Sequence, residues 1–310
     1  MKLLPLPAAL ALAIAAPAFA QSSVSIYGRL NVTVESVSRN GGDRTGEINN
    51  NSSRIGFKGT EDLGGGMKAG FQIEHGFDPS TGTAGAAFWG RQAEVNLSGG
   101  FGTVRLGTFT SEAYYATSDY IGMHNHETGD SSDAFYTYLG RNANKVGYMS
   151  PSLGGLVLHA SVSVAEGTDT EKTYDLAANY DAGPLHLGAG YEKNGDATQF
   201  AVRGLYELGA VTLGAYVQRS DLPLAGDAVH VRFSVMYALG ASEFHLNVAR
   251  GGEYANVHRS DAAQYTLGYN YNLSKRTKVY GYYTRIDRDD VVRFYGGNYD
   301  AVALGIRHNF

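Results

Sequence analysis

The chain has 310 residues, of which 43% are hydrophobic and 18% are charged, with 41 glycines, 22 tyrosines and no cysteine. The missing cysteines exclude a disulfide scaffold, cysteine-ligated metals and a cysteine nucleophile. The formal net charge of −5 argues against a globally basic protein, so we expect no nucleic-acid partner. Such a polar, tyrosine-rich composition leaves open where the apolar surface lies.

The first 20 residues, MKLLPLPAALALAIAAPAFA, have the pattern of a secretory signal peptide. Lys2 supplies a short positive segment, an apolar run follows, and Ala18 and Ala20 are the small residues expected before a cleavage site. A buried helix or a membrane anchor is the alternative, but the apolar run is short for a spanning helix. We therefore predict a signal peptide over 1–20 and one mature domain over 21–310. Removing 20 of the 310 residues leaves 290.

The mature sequence alternates repeatedly between apolar and polar residues. In 263–271, alanine, tyrosine and leucine occupy the odd positions, whereas glutamine, threonine, glycine and asparagine occupy the even ones. The same period of two recurs in 156–164, 185–192 and 229–239. This pattern predicts strands with one apolar and one polar face. No later segment approaches about 18 consecutive apolar residues, so we expect either a soluble β protein or a β-barrel.

Short turns alternate with long polar segments between these strands, which is typical of an up-and-down barrel. The longest such segment covers 111–139. Sixteen strands divide 290 residues into about 18 each, enough for the roughly 9–11 residues that span a membrane plus connections. The predicted strands are 23–36, 51–62, 66–77, 87–98, 103–110, 140–151, 155–166, 172–182, 184–193, 197–208, 211–220, 228–239, 243–252, 262–272, 276–288 and 299–310.

Two architectures are compatible with this alternation, and they differ in what the apolar face of the sheet contacts. A soluble sandwich buries its apolar faces against each other, whereas a membrane barrel turns them toward lipid. Small and polar residues on the other face, and aromatic residues near strand ends, favour the barrel, although tyrosine and phenylalanine are favoured in any strand. The last strand ends on Phe310, and pairing it with the first strand would close the barrel.

Several motifs, in this order, resemble those of the Gram-negative general porins, and in particular their β-proteobacterial branch. The resemblance extends over essentially the whole mature chain. The matching stretches are Ser25-Ile26-Tyr27-Gly28-Arg29-Leu30, Ser53-Arg54-Ile55-Gly56-Phe57-Lys58-Gly59, Glu61-Asp62-Leu63-Gly64, Gly70-Phe71-Gln72-Ile73-Glu74, Arg91-Gln92-Ala93, Gly99-Gly100-Phe101-Gly102, Leu106-Gly107, Arg141-Asn142, Tyr148-Met149-Ser150-Pro151, Leu273-Ser274-Lys275-Arg276-Thr277 and the terminal Phe310.

The resemblance implies an all-β, antiparallel, sixteen-stranded transmembrane barrel whose third loop, 111–139, folds inward and narrows the pore. It implies a homotrimer in the outer membrane, in contact with lipid and lipopolysaccharide, in which Phe310 is read by the assembly machinery. The implied function is passive diffusion of small hydrophilic solutes and ions, with no enzymatic activity and no cofactor. An outer-membrane barrel enzyme (a lipase or protease) and an adhesin are the alternatives.

The resemblance also implies a basic cluster on the pore wall, at Arg29, Arg54, Arg91 and Arg141. Alternation independently turns Arg29 and Arg54 toward the lumen, and adds Arg105 as a candidate. Arg91, however, shares its parity with apolar neighbours and would point outward. Either a bulge shifts the register there, or that wall packs against a neighbouring subunit.

Carboxylates on the inward loop would face this basic cluster. The candidates are Glu112, Asp119, Asp130 and Asp133 in the loop, and Glu74 on the third strand, although each loop carboxylate could equally be a solvated charge. The family's usual loop motif is absent, so the sequence does not select among them. Further basic residues on lumen-facing positions predict a preference for anions; they are Lys58, Arg203, Arg232 and Arg307.

Two polar segments could bind metal ions. The segment 124–127 contains two histidines and a glutamate but lacks the spacing of a zinc site, so we predict no metal there. The acidic segment 287–290 could bind Ca²⁺ or bridge to lipopolysaccharide through it, but solvated loop charges are the expected state.

Overall fold

The computed structural model describes residues 23–119, 121–122, 134–140, 142–165, 171–288, 295 and 297–310. Strands account for most of these residues. The signal-peptide segment lies outside the described residues, so its prediction stays open. No helix within the described ranges is long and apolar enough to span a membrane.

Eighteen strands are present in the described part of the chain. They are Ser23–Arg39 (β1), Thr45–Asn50 (β2), Arg54–Gly64 (β3), Met67–Asp78 (β4), Thr83–Ala84 (β5), Gln92–Gly99 (β6), Gly102–Thr108 (β7), Lys145–Met149 (β8), Leu156–Ser163 (β9), Thr173–Ala182 (β10), Leu185–Asn194 (β11), Ala197–Leu208 (β12), Val211–Leu222 (β13), Gly226–Leu239 (β14), Ser242–Gly251 (β15), Ala262–Asn272 (β16), Thr277–Arg288 (β17) and Tyr299–Asn309 (β18).

These strands form one closed antiparallel barrel with sixteen strands in its wall, two of which are each split into two segments. β2 and β3 both pair with β1 and together form the second wall strand, while β5 and β6 both pair with β4 and together form the fourth. The remaining strands pair with their sequence neighbours, and β1 pairs with β18 from Arg29↔Asn309 to Arg39↔Tyr299. Closure leaves no free sheet edge. The predicted sixteen-stranded, up-and-down barrel is therefore confirmed.

The segment 37–50, which the predicted strands 23–36 and 51–62 leave as a polar loop, is only partly a loop, and that prediction is wrong. β1 continues to Arg39, and β2 begins at Thr45 and pairs with Val32–Val37 of β1. Between them, Asn40 and Gly41 adopt positive φ values of 55° and 71°, as the asparagine-glycine pair of a tight hairpin does. The signal was present in the sequence, but the polar composition of the segment concealed it.

Several predicted strand ends are also corrected. The strand predicted over 87–98 begins only at Gln92, because 85–91 lies between β5 and β6. The strand predicted over 140–151 is limited to Lys145–Met149. In both cases the chain stops pairing with its neighbouring strand earlier than the alternation predicts. Contacts between distant residues decide this, and the local alternation of residues does not encode them.

The two faces of the barrel are the reverse of a soluble protein's. Large apolar residues such as Val217, Phe233 and Leu267 are exposed on the outside, whereas Gln218, His230 and other polar residues of the same strands are buried on the inside. In lipid, apolar side chains belong outside and the closed ladder satisfies the backbone. The barrel thus offers a polar lumen in which the longest connection, between β7 and β8, lies.

Candidate functional site

The connection between β7 and β8 is named loop 3 here, and its first turn is held inside the barrel. A helical turn, Glu112–Tyr114 (α1), is capped by Ser111, whose hydroxyl accepts from the amide of Tyr114 at 3.1 Å. The carboxylate of Asp175 on β10 accepts from the amides of Glu112 and Ala113 at 2.8 and 2.9 Å. A carboxylate suits this position because the first amides of a helical turn have no intrahelical acceptor.

Asp175 is itself neutralised by a buried lysine. Its Oδ2 lies 3.2 Å from Nζ of Lys145, and the two side chains are only 2% and 1% exposed. Ser161 donates to the same oxygen at 3.3 Å, and the Lys145 ammonium lies 4.6 Å from the centre of the Phe109 ring. Since an isolated buried charge is costly, this pairing makes the carboxylate tenable away from water.

The returning part of loop 3 is bound by strands β11 to β13. The side-chain amide of Gln218 both accepts from the amide of Thr137 and donates to its carbonyl, each at 2.8 Å. Glu192 accepts from the amide of Leu139 at 3.1 Å. The lumen-facing side of β10–β13, lined by Asp175, Glu192, Gln199 and Gln218, is called the covered wall.

Apolar packing reinforces these hydrogen bonds. Ile121 and Tyr136 of loop 3 form a buried cluster with Ala201, Leu205 and Tyr216 of β12 and β13. The hydroxyl of Tyr136 also accepts from Gln199, at 3.1 Å. Burial raises the pKa of the Tyr136 phenol, which keeps it protonated. The described parts of loop 3 thus pack against this side of the lumen, and the predicted inward folding of loop 3 is confirmed.

The opposite side carries the arginines. Arg29 on β1 and Arg54 on β3 are direct cross-strand partners, and both lie on the lumen-facing parity. Nε of Arg54 lies 3.8 Å from Oε1 of Glu74 on β4, and Nε of Arg91 donates to the same oxygen at 2.6 Å. Two guanidiniums therefore share one carboxylate.

A second cluster joins the barrel wall to loop 3. Arg105 on β7 lies 2.6 Å from Oε2 of Glu94 on β6 and also forms an ion pair with Glu112 of the loop. Its guanidinium carbon lies 4.2 Å from the centre of the Phe109 ring. Nδ1 of His159 lies 3.3 Å from the other oxygen of Glu112. The open wall is defined as the lumen-facing set Arg29, Arg54, Glu74, Arg91, Glu94 and Arg105.

Guanidiniums are more accessible than carboxylates on the open wall. The side chains of Arg91 and Arg54 are 35% and 20% exposed, whereas Glu74 between them is 11% exposed. In the second cluster, Arg105 is 18% exposed and Glu94 only 5%. Water in the lumen therefore meets more cationic than anionic surface, and the open wall also has four arginines against two glutamates.

Arg91 does not point outward as its parity suggested. It precedes β6, which begins at Gln92, so the strand alternation does not govern it. The interruption between β5 and β6 turns its side chain to Glu74, and NH1 also donates to Ser52 at 3.2 Å. Of the two explanations the sequence left open, a local break in register accounts for this position.

Loop 3 brings the phenol of Tyr115 within electrostatic reach of the arginines, with Asp119 four residues further along the chain. Enclosure by protein raises the pKa of the Tyr115 phenol, a hydrogen bond with Thr110 opposes this, and the carboxylate of Asp119 adds to it. Arg91 and Arg54 lower the same pKa through space. Asp119 lies at the exposed end of the turn Tyr115–Asp119. The first turn of loop 3 thus lies within electrostatic reach of the open wall.

The remaining predicted site residues divide simply. Glu74 and Glu112 contact arginines, whereas Arg141, Asp130 and Asp133 lie outside the described residues, as does the segment 124–127. Sequence reasoning missed Glu94, although it shares the polar parity of Gln92 and Asn96. It also missed Asp175 and Lys145, which carry no local mark of contact with a distant loop.

A closed barrel with an apolar exterior, a polar lumen and an inward loop beside a charged wall defines a membrane channel of the porin type. A family model described as Gram-negative porin matches residues 8–291, and the chain belongs to this family. It is an outer-membrane porin that forms a water-filled channel.

Individual relatives and solved structures support this family assignment. The chain is 30% identical to outer membrane porin protein 32 of Delftia acidovorans, over 96% of this chain and 97% of the relative. It is 30% identical to the major outer membrane protein P.IB of Neisseria meningitidis serogroup B, over 87% and 90%. The solved anion-selective porin from Comamonas acidovorans has a TM-score of 0.78 at 25% identity, over 94% of this chain and all of that one. The trimer form of OmpT from Vibrio cholerae shares the fold, with a TM-score of 0.70 at 16% identity over 93% and 99%.

Proposed function

We propose that the open wall and the first turn of loop 3 form the constriction of the channel, and that this constriction prefers anions. The observation that carries the proposal is the unequal exposure of the two kinds of charge: arginines meet the lumen water, and their carboxylate partners lie behind them. The sequence-based candidates retained for this constriction are Arg29, Arg54, Arg91, Arg105, Arg141, Glu74, Glu112, Asp119, Asp130 and Asp133.

The selectivity follows from electrostatics in a narrow space. Two unit charges about 10 Å apart interact by roughly 1–2 kcal/mol at an effective dielectric constant of about 20. Exposed guanidiniums would therefore raise the local concentration of anions, while the buried carboxylates reduce the total attraction enough for the ion to leave again. The transverse arrangement of charge would also orient water and dipolar solutes, and it penalises apolar ones.

We further propose that the protein passes small hydrophilic solutes and ions without covalent chemistry, and that it acts as a homotrimer. The trimer form of the related OmpT fold and the anion selectivity of the Comamonas relative support these proposals. The exposed apolar exterior suits contact with membrane lipid and lipopolysaccharide, and Phe310, at the closing strand, suits recognition by the assembly machinery.

Planar-bilayer recording of the purified, folded protein tests the proposed function. We expect stepwise conductance in groups of three equal steps and, in a KCl gradient, a reversal potential on the chloride side of zero. A silent membrane from protein that retains its heat-modifiable gel mobility would refute the channel. A reversal potential on the potassium side would refute the anion preference.

A further inference from the structure

The start of loop 3 lies on a strand that makes room for it. Gly188 and Gly190 face the lumen on β11, between the anchoring residues of β10 and β12. A methyl group built on Gly190 would lie 2.7 Å from both Cα and Cβ of Ala113, and one on Gly188 would lie 2.0 Å from the carbonyl oxygen of Ala116. The loop backbone therefore occupies the space that side chains of β11 would fill.

The loop side of this contact is equally small. Ala113 and Ala116 are buried, at 0% and 1% exposure, and stand three residues apart along the turn. Ala113 faces Gly190 and the carbonyl of Ala116 faces Gly188, and the two glycines stand two residues apart on the same face of the strand. Asp175 holds the same turn from the neighbouring strand through the amides of Glu112 and Ala113. The hydrogen bonds to Asp175 thus fix where the turn lies along the wall, and the contacts with Gly188 and Gly190 fix its distance from β11.

We propose that Asp175, Gly188 and Gly190 are positioning residues that determine how far loop 3 projects into the lumen, and thereby set the bore and the charge of the constriction. They act through Glu112, which belongs to the turn they hold and is the loop's partner of Arg105. The inference rests on the constriction proposed above.

Enlarging the contact between β11 and loop 3 tests the proposal. Gly190→Ala and Gly188→Ala each add one methyl group to a strand, where alanine is tolerated better than glycine. Because the methyl cannot be accommodated at 2.7 Å or less, the turn must move away from β11 and into the open lumen. We expect single-channel conductance to fall by roughly half, since conduction follows the bore. The matched control is Gly268→Ala on the lumen face of β16, where the methyl would meet its nearest atom at 3.4 Å.

Two further variants separate positioning from a general effect on folding. Gly190→Ala combined with Ala113→Gly removes the methyl of the loop that opposes the new one, so conductance should partly recover. Asp175→Asn removes the charged acceptor of the two amides, and we expect greater open-channel noise and a changed chloride-to-potassium permeability ratio. It is combined with Lys145→Met so that no unpaired ammonium is left buried, and this double variant provides the test if the glycine variants do not assemble.

Wild-type conductance in Gly188→Ala and Gly190→Ala, or wild-type noise and permeability ratio in the Asp175→Asn variant, would overturn the inference. An equal loss in the Gly268→Ala control would overturn it too. These outcomes differ from failure of the proposed function, because a potassium-selective wild type would contradict the anion preference while leaving the comparison of conductances intact.

Discussion

The covered wall and the open wall begin from the same sequence pattern and end in opposite environments. Both consist of polar side chains at every second position of barrel strands. On the covered wall, Asp175, Glu192 and Gln218 are buried beneath loop 3 and bind its backbone. On the open wall, Arg54 and Arg91 remain in contact with the lumen. A polar residue inside a barrel can therefore serve to anchor a loop or to select a solute, and the loop decides which.

The largest effect should come from the buried ion pair of the covered wall. Lys145→Met leaves Asp175 without its counter-charge at a site that is 2% exposed. Removing one partner of a buried pair costs about 3–5 kcal/mol, so the free energy of unfolding in urea should fall by that order. The control is Lys278→Met, whose pair with Glu243 is 23% and 20% exposed and should lose less than about 1 kcal/mol. Equal losses of unfolding free energy in the two variants would contradict the contrast between a buried ion pair and a partly exposed one.

Neutralising the open wall should change selectivity instead of stability. In Arg54→Gln with Arg91→Gln, Glu74 loses the two cations near it. Because each charge about 10 Å from a permeating ion contributes roughly 1–2 kcal/mol, the chloride-to-potassium permeability ratio should fall several-fold. Reversal potentials in a salt gradient measure it. The outward-facing variants Arg219→Gln and Arg250→Gln should keep the wild-type value, and an unchanged ratio in the double variant would remove these arginines from the constriction.

A smaller effect is expected from the second anchor of loop 3. Gln218→Ala removes both hydrogen bonds to Thr137, each worth about 1 kcal/mol. The returning part of the loop should fluctuate more, which would appear as added open-channel noise at unchanged selectivity. Gln72→Ala is the comparison, since Gln72 on β4 donates to Tyr27 on β1, across β3 and away from loop 3, at 2.6 Å. Quiet channels from the Gln218 variant would mean that the apolar cluster alone holds the loop.

The smallest effect concerns salt. The Debye length shortens from about 30 Å at 0.01 M to about 3 Å at 1 M, so the exposed arginines of the open wall should be screened progressively. The permeability ratio should move toward one as the mean salt concentration rises at a fixed gradient. The buried pair Lys145–Asp175 should be indifferent, so the midpoint of urea unfolding should change little over the same range. A ratio independent of salt would indicate selection by size.

The barrel was largely predictable because its signal is local and repeated. Alternation in 263–271 assigns both faces of β16 without any tertiary information, and sixteen such segments with short and long connections suffice for the architecture. The errors arose where local signals compete, as at 45–50, where polar composition outweighed the Asn40-Gly41 turn. The same alternation predicted that Arg54 and Arg105 face the lumen. It could not predict the direction of the Arg91 side chain, because Arg91 lies outside a strand.

The sequence by itself determined which residues face lipid and which face the lumen, because side chains alternate along every strand whatever surrounds them. Only the tertiary structure decided which lumen-facing residues are exposed to water. The described parts of loop 3 cover Asp175, Glu192 and Gln218 and leave Arg54 and Arg91 open. This depends on contacts between residues more than 50 positions apart, such as Glu112 with Asp175 and Leu139 with Glu192. Such pairings have no period in the sequence; they exist because a closed barrel places distant strands around one narrow space.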